Sequence, residues 1–327
     1  MGRKKITFEG LGQLPFEEWE MEPPKTERRS VYDRIRLPEK EQPPIPTDGL
    51  LYYISFGSGS SGNSCYIGTS RGGVIVDAGI KAEEIEAKIR ANGIDMKNVS
   101  GVLLTHDHSD HVRYAYNLVK NNRHLKVYCT NRVLQALLRR HDISKRIKDY
   151  HVAIFKEIPF KVGELEITAF EVPHDGADNM GFSLNFQQRN FVLATDMGQV
   201  MARARHYMSQ ADYLVIESNY DLRMLLNGKY PEFLKARIQT QVGHMDNTAT
   251  AEFLKEIYTP RLKHVFLCHL SKDNNTPEIA LEKNRTALEE AGAKVGSGME
   301  TLEDRSADVQ LIALPRYDST RLFVFRP

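Results

Sequence analysis

The chain has 327 residues and a formal net charge of +1 at pH 7, and 41% of its residues are hydrophobic and 27% are charged. A chain of this length can bury a substantial core, and the composition is that of an ordinary globular protein. The near-zero charge excludes inferences about partners from overall charge, so electrostatic arguments must be local. No apolar window approaches the roughly 20 residues that cross a bilayer, which predicts no membrane insertion.

The N-terminus and the cysteines predict the compartment. The basic start MGRKKITFEG is not followed by an apolar stretch, so we expect no secretory signal peptide. The cysteines are odd in number, far apart and form no CxxC pair; they are Cys65, Cys129 and Cys268. This pattern indicates free thiols in a reducing compartment, and we predict a cytoplasmic protein.

Residues 1–49 differ in composition from the rest of the chain. They hold about half of the 14 prolines amid mixed charges, and such a segment cannot bury enough apolar surface to offset its ordering entropy. We predict a Pro-rich extension, disordered or draped over a domain formed by residues 50–327. A protein partner could dock on its isolated apolar side chains, which are Phe8, Leu11, Phe16 and Trp19.

From Leu50 onward the sequence alternates between strand and helix patterns. The runs LYYISFG, SCYIGTS and GVIVDAG, separated by Gly/Ser turns, predict an antiparallel start, and AEEIEAKIRANG has helical spacing with Gly93 at its C-cap. Buried strands are then predicted at GVLLT, LKVYCT, LEITAFEV, FSLNF, FVLAT, YLVIES and HVFLCH. Helices are predicted at TATAEFLKEIY and PEIALEKNRTALEEAG, and closing strands at DVQLIALPR and RLFVFRP. The alternation predicts an α/β fold with sheets covered by helices.

The stretch LLTHDHSDHV carries three histidines and two aspartates between His106 and His111. His106 and His108 are two residues apart in extended backbone, so both rings can point toward one ion. Asp110 and His111 lie where the chain bends toward a helix and can face a second ion. Imidazole and carboxylate are the ligands that borderline divalent metals prefer, so this cluster predicts a metal site.

A site for two ions needs ligands from elsewhere in the chain. His174 follows the run LEITAFEV, Asp196 follows FVLAT, and His269 follows HVFLC. Polar residues at strand ends are where an α/β scaffold can assemble a site on rigid elements. The adjacent Cys268 should point to the opposite face of its strand, and we interpret it as a core residue.

These motifs, in this order, resemble those of the metallo-β-lactamase fold superfamily. The resemblance implies a four-layer αββα sandwich, with two mixed sheets face to face and helices outside, over residues of about 50 to 327. It implies one metal held by His106, His108 and His174, and a second held by Asp110, His111 and His269. Asp196 would bridge the two ions, which are zinc or manganese, since both accept His/Asp ligands. Many true lactamases carry a cysteine ligand where this chain has Asp196, which argues against antibiotic hydrolysis.

A departing sugar alkoxide benefits from a general acid, so a histidine outside the metal set is of interest. His244 lies in the Gly-flanked loop VGHMDN, and Glu217 ends the strand YLVIE, where its carboxylate could orient that ring and raise its pKa. The pair resembles the glutamate and histidine that assist the leaving group in nucleic-acid-processing members such as the tRNA 3′-processing enzymes. Each also has a plain structural interpretation, as a loop histidine and as a surface carboxylate.

Two features suggest where a nucleic acid would bind. Between Arg113 and Lys148 there are ten Lys or Arg residues and one acid, Asp142, and such a field attracts backbone phosphates, although a solvated helical face is the alternative. Its candidate contacts are Arg113, Arg132, Arg139, Arg140, Lys145 and Arg146. The segment SFGSGSSGNS could present amides to a terminal phosphate, or be a flexible hairpin. Its candidate phosphate nest is Ser58, Gly59, Ser60, Ser61, Gly62 and Asn63.

The phrases SFGSGSSGNSCYI, LLTHDHSDH, VIESNYD, GHMDNTATAEFL and CHLSKDNNTPEIA together are similar to the YycJ/WalJ-like bacterial metallo-hydrolases. This resemblance implies phosphodiester hydrolysis on DNA rather than RNA, as a 5′-to-3′ exonuclease. A water shared by the two ions would attack phosphorus, with Asp110 orienting it and His244 protonating the leaving oxygen. The alternatives are a small-molecule hydrolase of the same fold, acting on thioesters or cyclic nucleotides, and a non-enzymatic metal-stabilised adaptor.

Overall fold

Two β-sheets packed face to face organise the protein. A computed structural model describes residues 48–297 and 306–327, which belong to one compact unit. The predicted N-terminal extension lies outside the described residues, apart from its last two positions. None of the helices in the described segments is long and apolar enough to cross a bilayer.

The seven strands of the first sheet are β1 (Leu51–Gly57), β2 (Ser64–Thr69), β3 (Gly72–Val76), β4 (Val99–Leu103), β5 (Lys126–Cys129), β6 (His151–Ala153) and β15 (Phe323–Phe325). The eight of the second are β7 (Phe160–Val162), β8 (Leu165–Glu171), β9 (Met180–Phe186), β10 (Arg189–Ala194), β11 (Tyr213–Glu217), β12 (His264–Cys268), β13 (Val295–Ser297) and β14 (Val309–Ala313). The helices are α1 (Ala82–Ala91), α2 (Ser109–Val112), α3 (Ala115–Asn121), α4 (Asn131–Arg140), α5 (Ala202–Met208), α6 (Leu222–Asn227), α7 (Glu232–Ile238), α8 (Asn247–Ile257) and α9 (Pro277–Glu290). Two 3₁₀ turns cover Met96–Asn98 and Lys145–Tyr150.

Both sheets are mixed. The first has the order β15-β1-β2-β3-β4-β5-β6, and the second has the order β13-β14-β12-β11-β10-β9-β8-β7. The predicted antiparallel start is confirmed, since β1 pairs with β2 and β2 with β3 in antiparallel fashion. The two strands predicted at the end of the chain lie in different sheets. Strand β14 pairs in parallel with β12 of the second sheet, and β15 pairs in antiparallel fashion with β1 of the first.

Apolar side chains fill the space between the sheets. Tyr53 of the first sheet lies 4.9 Å from Phe191 and 4.7 Å from Phe266 of the second, measured between ring centroids. Such tilted aromatic pairs add to the stabilisation from burial itself. A separate apolar cluster on the outer face of the second sheet joins it to α8 and α9 through Leu254 and Leu288. Helix α1 covers the first sheet with Ile85 and Ile89, and the predicted αββα sandwich is confirmed.

The sheet topology places several chain segments at one edge. Strands β10, β11 and β12 run parallel and in register, with Ala194 beside Ile216 and Glu217 beside Cys268. The residues that follow these strands therefore emerge side by side at their carboxyl ends, as the carboxyl ends of parallel strands do. In the first sheet, β3, β4 and β5 also run parallel to one another.

Gly79 lies where the loop that carries Asn63 and the turn that carries Asp110 come into contact at this edge of the first sheet. Its N–H donates to the Asn63 carbonyl at 3.0 Å, and the Asn63 N–H donates to the Asp110 carbonyl at 2.7 Å. A Cβ on Gly79 would lie 1.6 Å from the Asp110 oxygen. Only glycine fits between these two backbones without displacing them.

We predict that Gly79→Ala lowers the free energy of unfolding by about 3 kcal/mol, because the new methyl group forces the Asp110 backbone to move. Gly93→Ala is the matched control: Gly93 has φ +75°, and a methyl group added there would meet nothing within 4 Å, so it costs only the left-handed strain, about 1 kcal/mol. Chemical denaturation of the two variants checks this. Equal destabilisation of both would show that the close approach at Gly79 is unimportant.

Candidate metal centre

The HDHSDH stretch combines an extended segment with a helical turn. His108 has extended backbone and precedes α2, which carries Asp110 and His111 in its single turn. The imidazole of His106 lies 4.6 Å from that of His108 and 4.1 Å from that of His111, between ring centroids. The change from strand to helix lets three nearby histidines converge instead of alternating between faces.

The later strand ends meet this stretch and form two ligand groups. His106, His108 and His174 offer ligand atoms within 4.8 Å of one another, and so do Asp110, His111 and His269. Two of the three distant residues named from the sequence, His174 and His269, therefore lie beside the cluster. Three nitrogens on one side, and two nitrogens with a carboxylate on the other, are donor sets for borderline divalent ions.

Asp196 lies between the two groups. Its Oδ2 is 3.0 Å from His111 Nε2, its Oδ1 is 2.9 Å from His269 Nδ1, and it also groups with His106 and His111. Asp196 and His269 have φ values of +51° and +54°, a left-handed conformation that costs non-glycine residues of order 1 kcal/mol or more. The backbone at both strand ends is thus held in a strained form that aims these side chains inward.

The centre fits divalent cations. His106 Nε2 and His269 Nε2 are buried and have no hydrogen-bond partner within the described segments, a costly arrangement unless an ion accepts their lone pairs. Burial lowers the pKa of His106, and the neighbouring ring of His111 lowers it further, so this ring is held neutral, as metal ligation requires. The His174 ring is oriented by the Gly243 carbonyl, 3.0 Å from its Nδ1.

Asp77, which the sequence analysis missed, supports His111. Its Oδ2 is 2.7 Å from His111 Nδ1, and its carboxylate accepts bonds from the Thr105 N–H and hydroxyl. A carboxylate on Nδ1 fixes the ring tautomer and leaves Nε2 for a metal. The available signal was VDAG, an acid at the end of a strand neighbouring the strand that leads into the histidine cluster.

Glu217 and His244 form a buried pair beside the ligands. Glu217 Oε1 lies 2.7 Å from His244 Nδ1 and 3.1 Å from His269 Nδ1, and Oε2 accepts the Met197 N–H at 2.9 Å. Burial favours a neutral His244, but the carboxylate of Glu217 and its hydrogen bond outweigh this and raise the pKa of His244. Glu217 is fully buried, so it is not the surface carboxylate of the alternative interpretation.

Asp175 is a second residue that the sequence analysis missed. Its Oδ1 lies 3.3 Å from His108 Nε2, and its Oδ2 accepts a bond from Arg237 Nε at 2.8 Å. Arg237, at the end of α7, thereby holds a carboxylate next to the group of His106, His108 and His174. Its position directly after His174 was the only sequence signal, and an acid after a histidine is too common to single out.

Most backbone amides of the Ser58–Asn63 segment donate hydrogen bonds to other groups of the protein. The Ser58 N–H donates to the Pro315 carbonyl, the Gly59 N–H to Asn63 Oδ1, and the Gly62 N–H to the Gly59 carbonyl. With Asn63 bonded to Asp110, four of the six amides proposed as a phosphate nest are occupied, which leaves Ser60 and Ser61. The segment is not a free hairpin either, because Ser58 Oγ accepts the His269 N–H at 2.9 Å and Asn63 Nδ2 lies 3.2 Å from Asp110 Oδ2.

The basic segment is exposed, and at least one of its cations lies away from the histidine cluster. All ten cationic residues between Arg113 and Lys148 are exposed. Lys126 begins β5 and so lies at the edge opposite to His106. Arg140 is the only one of the ten with a carboxylate within 4.0 Å in the described part of the chain, since its Nη1 bonds Asp107 at 2.9 Å. His141, for which the sequence suggested no function, also contacts the Asp107 carbonyl, so the end of α4 helps to hold the loop that carries His106 and His108.

Known proteins are similar to this chain over most of its length. Residues 73–269 match the model of the β-lactamase superfamily domain. The chain is 35% identical to exodeoxyribonuclease YycJ of Bacillus anthracis over 251 residues, which cover 76% of this chain and 94% of that protein. It is 32% identical to exodeoxyribonuclease WalJ of Streptococcus pneumoniae D39 over 249 residues, covering 76% and 91%.

A solved structure shares the fold. The metallo-β-lactamase fold protein YhfI from Bacillus subtilis aligns with a TM-score of 0.59 at 13% identity, over 84% of this chain and 99% of that one. With enzymes as its relatives, the chain is a hydrolase and not the adaptor considered as an alternative. It belongs to the β-lactamase superfamily and, within it, to the group of metallo-hydrolases that contains the YycJ and WalJ exodeoxyribonucleases.

Proposed function

We propose that the centre holds two divalent ions, zinc or manganese. His106, His108 and His174 would bind one, Asp110, His111 and His269 would bind the other, and Asp196 would contact both. The proposal is supported by the two ligand groups and by the partnerless nitrogens of His106 and His269 in the described segments. Ions bound there would lower the pKa of a water molecule and offset negative charge that develops on a phosphate.

The ion count has a direct test. We expect the full chain, dialysed against zinc or manganese, to retain two ions, and His108→Ala to retain one, because only one ligand group loses a donor. Metal analysis by mass spectrometry gives the stoichiometry. The matched control is His206→Ala, which removes an exposed histidine on α5 and should keep both ions. A wild-type chain with fewer than two ions would contradict the proposal.

We propose further that the enzyme removes nucleotides from DNA in the 5′-to-3′ direction, in the cytoplasm. The names of the relatives support DNA as the substrate. Exposed cations such as Arg113 and Arg132, which have no ion pair in the described segments, support an anionic polymer. The three cysteines are free and buried, which agrees with a reducing compartment.

The substrate is tested with 5′-labelled and 3′-labelled DNA and RNA strands, each with zinc or manganese and at two salt concentrations. We expect mononucleotide release from the 5′ end of DNA, slower at the higher salt because counterion release drives binding. Gel analysis of the product ends reads the polarity. Hydrolysis of small thioesters or cyclic nucleotides, with no activity on either polymer, would favour the small-molecule alternative.

The Glu217–His244 pair carries the mechanistic part of the proposal. Glu217 holds Nδ1 of the ring at 2.7 Å, which directs Nε2 away from the carboxylate, and the raised pKa of His244 keeps a proton available. His244 would donate this proton to the departing sugar oxygen. Asp110, whose side chain is 18% exposed beside His111 and His269, would accept a hydrogen bond from the attacking water and orient it.

We predict that His244→Ala lowers kcat on DNA by about 100-fold or more, the usual contribution of a general acid, while the metal content stays unchanged. The matched control assays the same variant on a second substrate. A 4-nitrophenyl phosphodiester has a leaving group that needs no proton, so its hydrolysis should fall far less in the same variant. Equal losses on both substrates would reject proton donation and leave His244 a structural role.

A further inference from the structure

A cavity of about 180 Å³ adjoins the loops that carry Asn63 and Asp110. Of the residues that line it, only Ser61, Gly62 and Arg113 were considered above as separate candidate contacts for phosphate or nucleic acid. Its lining includes Gly62, Gly79, Lys81, Arg113, Arg316 and Tyr317. A water molecule takes about 30 Å³ in the liquid, so the cavity has room for a phosphate group with some of its hydration.

The lining of the cavity includes chain neighbours and hydrogen-bond partners of residues in the second ligand group and of Asn63. Gly62 precedes Asn63, whose Nδ2 lies 3.2 Å from Asp110 Oδ2 and 3.0 Å from His111 Nε2. Gly79 donates its N–H to the Asn63 carbonyl, and Arg113 comes two residues after His111. Asn63 therefore connects the loops that line the cavity to Asp110 and His111 of the second ligand group.

The charge of the cavity is positive. Three cationic side chains line it, and the one acid in its lining, Glu84, is 3.6 Å from Lys81. Across residues 48–297 and 306–327, neither Arg113 nor Arg316 has a carboxylate within 4.0 Å. These two guanidinium groups are the local charges that an anion would neutralise.

Arg316 is fixed in place before any ligand arrives. Its Nη2 donates to the Leu270 carbonyl, next to His269, and its Nη1 lies 3.2 Å from Ser60 Oγ. A guanidinium has five N–H donors, so donors remain for a ligand. Because the group is half-buried and already oriented, a bond to it loses little conformational entropy.

The charge of a phosphate monoester suits this cavity better than that of a diester. A monoester carries about −1.5 to −2 at pH 7, whereas an internal DNA phosphate carries one negative charge. Two guanidinium groups form charge-assisted, directional bonds to such a group. Tyr317, 60% exposed beside Arg316, offers a ring face on which a terminal base can stack.

We propose that this cavity binds the terminal 5′-phosphate of the DNA strand and so places the first internal phosphodiester at the metal centre. The proposal rests on the function proposed above, since it names the strand end that the same site would accept. It requires a preference for a phosphorylated 5′ end over a hydroxyl end and over a phosphorylated 3′ end.

The test measures equilibrium binding, which does not depend on turnover. The metal-loaded full chain is titrated with fluorescent DNA strands of one sequence, made uncleavable by phosphorothioate linkages, that carry a 5′-phosphate, a 3′-phosphate or only hydroxyl ends. We expect the 5′-phosphate to tighten binding about tenfold, equivalent to about 1.4 kcal/mol. Arg113→Gln and Arg316→Lys should each reduce this ratio to near one, the second because lysine lacks the planar fork.

Lys263→Gln is the matched control, because Lys263 is exposed and precedes β12 at the edge opposite to His269. It should retain the tenfold ratio. Equal binding of the 5′-phosphate and hydroxyl strands by the wild-type chain, a stronger effect of the 3′-phosphate, or an unchanged ratio in Arg113→Gln would overturn the proposal. Tight 5′-phosphate binding without hydrolysis of the corresponding cleavable strand would instead reject the proposed function and leave the binding site standing.

Discussion

The buried carboxylate of Asp196 is the group on which the rest of the centre depends. Burial opposes its ionisation, yet His269 and His111 hold its pKa well below the usual range. His111 comes from the first sheet, whereas Asp196 and His269 follow strands of the second. The electrostatic attraction at Asp196 therefore also joins the two sheets at the edge where their strands end. A neutral residue at this position would leave imidazoles from both sheets facing one another without a shared anion.

Two further carboxylates each orient one histidine of the centre. Asp77 holds His111 by Nδ1 and Glu217 holds His244 by Nδ1, each at 2.7 Å. The geometry of the two pairs is the same, but their surroundings differ. His111 is completely buried among ligands, whereas the side chain of His244 is 21% exposed. The same interaction thus orients one ring inside the cluster of histidines and carboxylates and the other at its exposed border.

The surroundings of the centre are asymmetric. On the side of His108, Asp175 and Arg237 form an ion pair that adds a carboxylate next to the first ligand group. On the side of Asp110, the adjoining cavity is lined by cations, of which Arg113 and Arg316 lack a carboxylate partner in the described segments. The charge around the centre is therefore compensated on the side of His108 and positive on the side of Asp110. This difference can set the direction in which a substrate lies.

Much of the fold, and the side chains that meet at the candidate site, could be predicted from the sequence. The strand runs and the helix after Lys81 are local patterns of hydrophobic periodicity, and the structure has them where the patterns predict them. His106, His108, Asp110 and His111 lie close in sequence, so local geometry alone brings them together. His174, Asp196 and His269 could be connected to them only through their positions after predicted strands and through the resemblance to a known family, because their spacing along the chain carries no distance information.

What only the tertiary structure decided lies in the contacts between distant segments. Asp175 and the cavity at Arg316 have no local pattern that distinguishes them from ordinary surface residues, and the only signal for Asp77 was its place at the end of a strand. In the Ser58–Asn63 segment a local pattern suggested a feature that the tertiary structure does not support. Its glycines and serines suggest a free anion nest, whereas most of its amides donate to Pro315, to Asp110 and within its own loop. The sequence by itself determined which side chains can bind metal and which segments form strands. Which residues contact these side chains was decided by the order of the strands in the two sheets. Hydrogen bonds and ion pairs act over a few ångströms in space, whatever the separation of the two residues along the chain.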